Sequence, residues 1–364
     1  MADALSNCIA EWFGHRTYPT VQPAAEARKD QESKRCPFLS AATGETRPCI
    51  KATSSLGVCT ISSISNGPRQ DWLVCPYRGL DKGLLRDVVQ RLFGDAPGER
   101  LIVPVPNLAK EEFREEVVRE CESGGRPIVY LTDKLGGEIS ISRTDRSPEL
   151  SFDMTMAELS GGAAGLRVLR YGIFELQTMD FHGSYRHAVK NLEDALRLHG
   201  EGFHHALEEN PRWMGDRIEG PNIANVFKRT FYQMMLKFQI GKHSQCSGTA
   251  LALPEAVWDS WQRHLGGPEL VSAGEDFELR HPQAAPFGRD APAWIYVFDV
   301  DAEASESPSP LLVKKRIGTD AEAVSHFALQ VAPDAAVGPQ GTASLIPDRI
   351  KQRIVRWWPE VLFG

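Results

Sequence analysis

Residues 171–177 read YGIFELQ, an apolar stretch whose last four positions alternate between apolar and polar side chains, as is typical of a β-strand. Because successive side chains of a strand point to opposite faces of a sheet, Glu175 and Gln177 are predicted to share one face. Phe174 and Leu176 then point into the core on the other face. The strand is otherwise apolar and central in character, so a carboxylate and an amide on it need a functional reason.

Helical and strand patterns alternate along the chain on both sides of this stretch, which predicts an α/β fold. Helices are expected over about 84–93, 108–122, 184–198, 222–240 and 350–357. Strands are expected near 128–131, 137–143, 150–156, 167–178 and 293–298. The Met and Phe stripe of the 222–240 helix is predicted to face the core. The acidic, Ser- and Pro-rich segment 301–310 is predicted to be a surface loop.

Length and composition indicate a globular protein. The 364 residues suggest two domains or one large one at roughly 150 residues each. Hydrophobic residues make up 42% and charged residues 24%, which excludes a disordered, collagen-like or coiled-coil chain. No apolar run is long enough to span a membrane and the N-terminus lacks a signal pattern, so a soluble, cytoplasmic protein is expected. The net charge is −7, so a nucleic-acid partner would need a local basic face.

A second carboxylate lies on a strand before the 171–177 stretch. Asp153 ends the segment SPELSFD at 147–153, and Glu138 follows the Gly pair at 136–137. Carboxylate oxygens from neighbouring strands can hold Mg²⁺, which polarises a phosphodiester and activates a water molecule. Glu158 competes with Glu138 for the third position. The alternative is that these residues decorate the solvent face of a sheet.

Four of the seven cysteines are clustered, with the spacing Cys36-x12-Cys49-x9-Cys59-x15-Cys75. An odd number without a secretion signal argues against a disulfide framework. Four thiolates can surround one tetrahedral metal ion, and iron and zinc both suit such a site. The alternative is four buried free cysteines that behave as small hydrophobes. We favour the metal because the surrounding segment offers little apolar surface.

A local basic region could contact DNA. Residues 212–264 contain seven Lys or Arg and four Asp or Glu, a local charge of +3. Side chains suited to phosphates and base edges are expected opposite the Met and Phe stripe of the 222–240 helix; they are Asn222, Asn225, Lys228, Arg229 and Lys237. Arg186 and Lys190 follow Gln177 on the next helix, and basic residues of the C-terminal helix are weaker candidates. The alternative is a solvated helix face.

Several ordered blocks of sequence are similar to those of one enzyme family. The blocks are AEWFGHR at 10–16, CPFL at 36–39, DWLVCP at 71–76, KLGGE at 134–138, SPE at 147–149, ELQTMDFHGSY at 175–185, EGPN at 219–222 and FYQM at 231–234. In these blocks the chain resembles the NotI-type restriction endonucleases. The similarity is weaker around 194–216, around 266–292 and after about residue 335.

The resemblance implies a type II restriction endonuclease with a PD-(D/E)xK nuclease core, a mixed sheet flanked by helices, over residues 96–364. It implies an N-terminal region, 1–95, that contains a four-cysteine domain holding structural iron. The implied iron ligands are Cys36, Cys49, Cys59 and Cys75. The implied Mg²⁺-dependent site consists of Glu138, Asp153, Glu175 and Gln177, with Asp153 and Glu175 as the metal ligands.

The resemblance also implies how such an enzyme acts. A homodimer would cleave both strands of a GC-rich palindrome of the GCGGCCGC kind in double-stranded DNA, leaving 5′ overhangs. A cognate DNA methyltransferase would protect the host. The base-reading residues and the recognition sequence remain open.

One position departs from the wider nuclease superfamily, which usually carries Lys where this chain has Gln177. Glutamine has no charge, so water activation would depend more on the metal; NotI-type enzymes also have Gln here. Two other functions stay open at this stage. One is a non-catalytic DNA-binding protein built on the four-cysteine site, and the other is a repair nuclease that recognises DNA structure.

Overall fold

A computed structural model of the chain describes residues 5–19, 25–64, 68–96, 98–161, 165–304, 306–339 and 341–360. The side chains of residues 25, 224, 225, 228 and 229 also lie outside the described part.

Seventeen strands are present in the described residues. They are β1 Asn7–Trp12, β2 His15–Arg16, β3 Val58–Ser63, β4 Gln70–Leu73, β5 Ile102–Pro104, β6 Ile128–Thr132, β7 Ile139–Ile141, β8 Leu150–Phe152, β9 Met154–Ser160, β10 Arg167–Leu176, β11 Phe181–Gly183, β12 Ile218–Pro221, β13 Cys246–Pro254, β14 Val271–Ala273, β15 Asp276–Glu278, β16 Ala293–Val300 and β17 Leu311–Thr319.

Eleven α-helices accompany these strands in the same part of the chain. They are α1 Ala25–Ser33, α2 Pro37–Thr43, α3 Lys82–Phe93, α4 Glu111–Glu122, α5 Arg186–His199, α6 Phe203–Glu209, α7 Ile223–Ile240, α8 Glu255–His264, α9 Ala321–His326, α10 Ala332–Val337 and α11 Ile346–Trp357.

A nine-stranded mixed sheet organises the molecule, with the order β14-β15-β17-β16-β13-β10-β9-β6-β5. Strand β10 is central: it pairs antiparallel with β9 and parallel with β13. A separate antiparallel sheet near the N-terminus has the order β2-β1-β3-β4. The predicted α/β class with a mixed sheet flanked by helices is therefore confirmed at this level.

Helices cover both faces of the large sheet. On one face α3 packs against Phe174 and Leu176 of β10 in an apolar cluster that also contains residues of β13 and β16. On the other face α7 and α8 pack against β13 and β16 in a second cluster, to which Met234 and Phe238 of α7 belong. Alternation along the strands decides which residue enters which cluster. The prediction that the Met and Phe stripe faces the core is confirmed.

Local signals in the sequence set the limits of α3. The Asp81 carboxylate accepts a hydrogen bond of 3.0 Å from the backbone N–H of Leu84 and so caps the helix N-terminus. Gly94, with a φ of 80°, follows the last helical residue. The predicted end of this helix at Gly94 is confirmed because glycine adopts this left-handed conformation without a steric penalty.

The N-terminal sheet is attached to the rest of the chain by a buried ion pair. The guanidinium of Arg78 donates to both carboxylate oxygens of Glu11 at 3.0 and 3.1 Å, and both side chains are fully buried. Arg78 also donates to the backbone carbonyl of Ser309, which is itself 1% exposed. The prediction that 301–310 is wholly a surface loop is therefore wrong at its C-terminal end.

Strand β13 is central in the sheet, although periodicity did not predict it. Its sequence CSGTALALP contains one β-branched residue, Thr249, and is otherwise poor in the residues that favour strand prediction. The proposed domain boundary at residue 95 stays a prediction. The apolar cluster around α3 contains residues from both sides of it.

No helix in the described part of the chain is long and apolar enough to cross a membrane.

Candidate active site

Asp153 and Glu175 are brought together by the pairing of β9 with β10. Met154 lies opposite Phe174 in the antiparallel register, so the residue before β9 lies next to the end of β10. The backbone N–H of Asp153 donates to Glu175 Oε1 at 3.3 Å, and Asp153 Oδ2 accepts from the N–H of Leu176 at 3.2 Å. Each carboxylate is thus oriented by the backbone of the other strand.

Glu138 reaches the same region through a second, smaller hairpin. Gly136 and Gly137 have φ values of 97° and 89°, which turn the chain out of β6 in a conformation that other residues rarely adopt. Ile139 of β7 then pairs with Phe152 of β8, so Glu138 lies beside Asp153 at the base of the hairpin. Desolvation raises the pKa of Glu138, and the negative charge of Asp153 adds to this effect.

Glu175 is the most buried of the three carboxylates, with 5% of its surface exposed. Helix α7 covers this face of the sheet and is tethered to β13 by a hydrogen bond from Thr249 Oγ1 to the carbonyl of Lys237, at 2.9 Å. Desolvation raises the pKa of Glu175 to about 8, and the charge of Asp153 contributes to the rise. A buried carboxylate with a raised pKa beside other carboxylates is typical of a functional site. The alternative that these residues decorate a solvent-exposed face does not fit Glu175.

Lys237 provides a positive charge at this site that the sequence analysis placed elsewhere. Its Nζ lies 2.5 Å from Glu175 Oε2, and only 5% of the residue is exposed. The prediction that Lys237 lies on the outward face of the 222–240 helix is therefore wrong. Its position between Met234 and Phe238, both in the core, is the signal that could have placed it.

Gln177 lies one step beyond the end of β10. Its backbone N–H donates to the carbonyl of Ala252 at 2.8 Å, which continues the pairing with β13. Its side-chain Nε2 donates to the carbonyl of Thr178 at 2.6 Å. The residue lines a polar cavity of about 170 Å³ between the end of β10 and α7, together with Thr230 and Gln233.

Glu158 is not part of this site. It lies on β9 five residues after Asp153 and is fully buried. Its carboxylate pairs with Arg170 at 2.7 Å and with Arg100 at 3.2 Å. The expectation that Glu158 competes with Glu138 for a position near Asp153 is wrong, because both of its oxygens are engaged by arginines.

The three carboxylates are chemically suited to Mg²⁺, which prefers oxygen ligands. Within the described ranges, however, no three His, Cys, Asp or Glu side chains are close enough together to form a metal-binding group. Asp153 and Glu175 are oriented by the backbone, and both Asp153 and Glu138 are exposed to solvent. The donor set therefore fits the ion by its chemistry, with Asp153, Glu175 and Glu138 as the residues that would hold it.

The four clustered cysteines also approach one another. Two backbone hydrogen bonds of 2.8 Å, from Cys36 to Arg47 and from Cys49 to Lys34, join the first two segments. A backbone hydrogen bond of 3.0 Å from Val74 to the carbonyl of Cys59 aligns β3 with the end of β4.

The neighbouring thiol of Cys59 lowers the pKa of Cys75, and the nearby ammonium of Lys51 acts in the same direction. The Cys59 thiol itself donates to the carbonyl of Gly57 at 3.4 Å. Burial raises the pKa of Cys36 to about 12. None of the seven cysteines, all of which lie in the described part, forms a disulfide.

The prediction that the segment around the cysteines offers little apolar surface is wrong. Cys36, Cys59 and Cys75 are buried in the same apolar cluster as Phe38 and α3, so the segment does have apolar surface to cover them. The thiol set fits iron or zinc by its chemistry. In the described residues the thiols do not form a group that could hold a metal ion, and the arrangement also matches the alternative of buried free thiols.

The predicted DNA-contacting residues are only partly described. Arg186 and Lys190 are exposed on α5, and neither has an ion pair with another described residue. The side chains of Asn225, Lys228 and Arg229 lie outside the described part of the chain, so the predictions for them stay predictions.

Comparison with known proteins assigns no family to the chain. No protein-family model matches it, and no curated protein is significantly similar to it.

Proposed function

We propose that the chain is a Mg²⁺-dependent endonuclease of the PD-(D/E)xK type, and more specifically a type II restriction endonuclease related to the NotI-type enzymes. The observation that carries this proposal is the pairing of Asp153 with Glu175 across β9 and β10, where each carboxylate is oriented by the other strand. Glu138 beside Asp153 supports it, because a third oxygen donor completes the chemistry that phosphodiester cleavage needs.

The surrounding architecture is compatible with a nuclease core. Strand β10 pairs antiparallel with β9 and parallel with β13, while α3 and α7 lie against opposite faces of the sheet. Glu175 lies at the end of β10 and is 5% exposed, whereas Asp153 and Glu138 are exposed, so the acidic site opens to solvent through these two carboxylates. The assignment to the PD-(D/E)xK fold is part of the proposal and rests on the sequence blocks described above.

Each residue of the site would have a separate role in the reaction. When bound, Mg²⁺ polarises the scissile phosphate and lowers the pKa of an attacking water molecule. Asp153 and Glu175 would hold the ion, and Glu138 would contribute a further oxygen. Because Gln177 Nε2 is engaged by Thr178, its Oε1 is the atom available to accept a hydrogen bond from the attacking water and position it.

The substrate and partners follow from the resemblance. We propose that a homodimer acts in the cytoplasm on double-stranded DNA, at a GC-rich palindrome like GCGGCCGC, and leaves 5′ overhangs. Arg186 and Lys190, both exposed, would contact the DNA backbone. Asn225, Lys228 and Arg229 are retained as candidates for the same surface. A cognate methyltransferase would protect the host DNA.

The four-cysteine cluster would form a structural metal site in this enzyme. Cys36, Cys49, Cys59 and Cys75 would hold iron, with zinc as the other ion that suits four thiolates. Their mutual proximity supports the proposal, and the binding energy would add to the stability that their apolar cluster already provides. The metal is assigned no part in cleavage.

The direct test of the activity is incubation of the purified protein with a plasmid library rich in GC palindromes, with and without Mg²⁺, followed by sequencing of the DNA ends. Discrete ends at one palindrome, formed only with Mg²⁺, are expected. They would establish the reaction and the recognition site together.

Two other results would contradict the proposal in distinct ways. Intact DNA under both conditions, with DNA binding retained, would favour a non-catalytic DNA-binding protein. Cleavage of branched DNA at random sequences would favour a repair nuclease.

A further inference from the structure

A buried ammonium lies within the acidic site. Lys237 Nζ is 2.5 Å from Glu175 Oε2, and the residue is 5% exposed. Its charge also acts on Glu138, whose carboxylate lies beside Asp153. One cation thus acts on two carboxylates that come from different segments of the chain.

Burial of the Lys237 ammonium costs free energy, so its charge at this position needs a role. Its neighbours on α7, Met234 and Phe238, are buried in the apolar cluster under the sheet. A long apolar side chain would fill this position without the penalty of removing an ammonium from water. A single ion pair in a core is weak evidence of a stabilising role, because desolvation offsets much of the attraction. The site, rather than the core, explains the lysine.

The ammonium also has hydrogen-bonding capacity left over. An ammonium has three donors, and the acceptor that Lys237 has among the described residues is Glu175. The ring of Phe152 lies 5.8 Å from Nζ, within reach of a cation–π contact, and does not use up a conventional hydrogen bond. The remaining donors can serve groups that enter the site.

We propose that Lys237 is the cationic positioning residue of the acidic site: it orients Glu175 and sets how tightly the site binds a divalent cation. Three carboxylates and one ammonium leave a formal charge of −2, which one divalent ion balances. Lys237 therefore supplies from α7 the positive charge that the uncharged Gln177 cannot supply from β10. The part of the inference that concerns the cleavage rate rests on the proposed function.

Cation binding tests the proposal without any cleavage. Ca²⁺, which takes the same oxygen ligands as Mg²⁺, is titrated by calorimetry into the full-length protein. Lys237→Met removes the neighbouring positive charge, so Ca²⁺ should bind at least about tenfold more tightly. Lys237→Arg should bind as the original protein does.

Lys242→Met is the matched control. Lys242 lies just after α7, pairs with Asp320 at 2.7 Å and is partly exposed, so the same change of charge occurs outside the site. Its Ca²⁺ affinity should not change. Should Lys237→Met fail to fold in a thermal unfolding measurement, Lys237→Gln replaces it with the same expectation.

The rate of DNA cleavage at saturating Mg²⁺ is the second measurement. Lys237→Met should lower kcat at least about a hundredfold with little change in KM, because a charge that acts at the reacting centre is lost. Lys237→Arg should retain part of the rate. Unchanged Ca²⁺ affinity together with unchanged kcat in Lys237→Met would overturn the inference.

The two proposals fail separately. If the original protein binds Ca²⁺ with the expected dependence on Lys237 but does not cleave DNA, the proposed function is wrong and the role of Lys237 in cation binding stands. If it cleaves DNA and Lys237→Met does so equally well with unaltered Ca²⁺ affinity, Lys237 is only structural. A protein that cleaves DNA with Mg²⁺ but binds no Ca²⁺ overturns the inference about Lys237 and leaves the proposed function in place.

Discussion

Asp153 and Glu175 hold each other in place across β9 and β10: the N–H of Asp153 donates to the Glu175 carboxylate, and the Asp153 carboxylate accepts from the residue after Glu175. Their orientation depends on backbone pairing and therefore exists before any ligand binds. A preorganised pair of this kind does not have to reorganise during the reaction, which is where much of the advantage of an enzyme site lies.

Substitution of either carboxylate should abolish cleavage and leave DNA binding intact. We expect Asp153→Asn and Glu175→Ala to lower the cleavage rate by about a thousandfold, a loss of roughly 4 kcal/mol of transition-state stabilisation. Cleavage is measured with Mg²⁺, and binding is measured by gel shift with Ca²⁺.

Asp194→Asn is the control for these substitutions, since Asp194 is a half-exposed carboxylate of α5 whose ion-pair partner among the described residues is Arg197. It should cleave normally. Normal cleavage by both Asp153→Asn and Glu175→Ala would rule out the assigned site.

Glu158 should prove structural rather than catalytic. Because it is fully buried and pairs with Arg100 and Arg170, Glu158→Gln leaves two guanidinium groups without their partner. We expect the free energy of unfolding to fall by about 3 kcal/mol, with the cleavage rate of the folded protein unchanged. Urea unfolding gives the first quantity. Glu149→Gln, at an exposed position, is the control and should change neither the free energy of unfolding nor the cleavage rate. If Glu158→Gln instead lost cleavage without losing stability, Glu158 would belong to the active site.

Metal analysis should reveal about one iron or zinc per chain in protein purified without chelators, since four thiolates complete one tetrahedral site. Cys59→Ser should lose most of that metal, and its thermal unfolding midpoint should fall because metal binding contributes to folding. Cys121→Ser removes a buried thiol from a different apolar cluster, with α4, and should keep the metal. Metal-free protein of full stability would instead identify the cluster as buried free thiols.

Arg186 and Lys190 should contribute to DNA affinity through phosphates. Removing one basic side chain from a DNA phosphate reduces the slope of log affinity against log salt by about 0.9. Changing both residues to Gln should therefore lower the slope by about 1.8 and weaken binding equally for specific and random DNA. Lys29→Gln, at an exposed position of α1, serves as the comparison. A slope that stays the same would place the DNA elsewhere.

Local patterns predicted several elements correctly because the cause of each was local. The Asp81 cap and Gly94 define α3, and alternation at the end of β10 separates Phe174 from Glu175. Strand β13 was not predicted, since most of its residues carry little strand preference and its position between β10 and β16 comes from long-range pairing. The apolar cover over the cysteines was missed for a similar reason: α3 and the sheet supply it from outside the segment.

The sequence by itself determined the α/β class, the face of β10 on which Glu175 lies and the clustering of four cysteines, because these follow from side-chain periodicity and spacing along the chain. Only the tertiary structure decided which acidic residues share a site. It joined Asp153 to Glu175, removed Glu158 by pairing it with two arginines, and brought Lys237 onto Glu175 from a helix more than sixty residues away. Contacts of this kind depend on how β9, β10 and α7 pack, and no local pattern records the register of that packing.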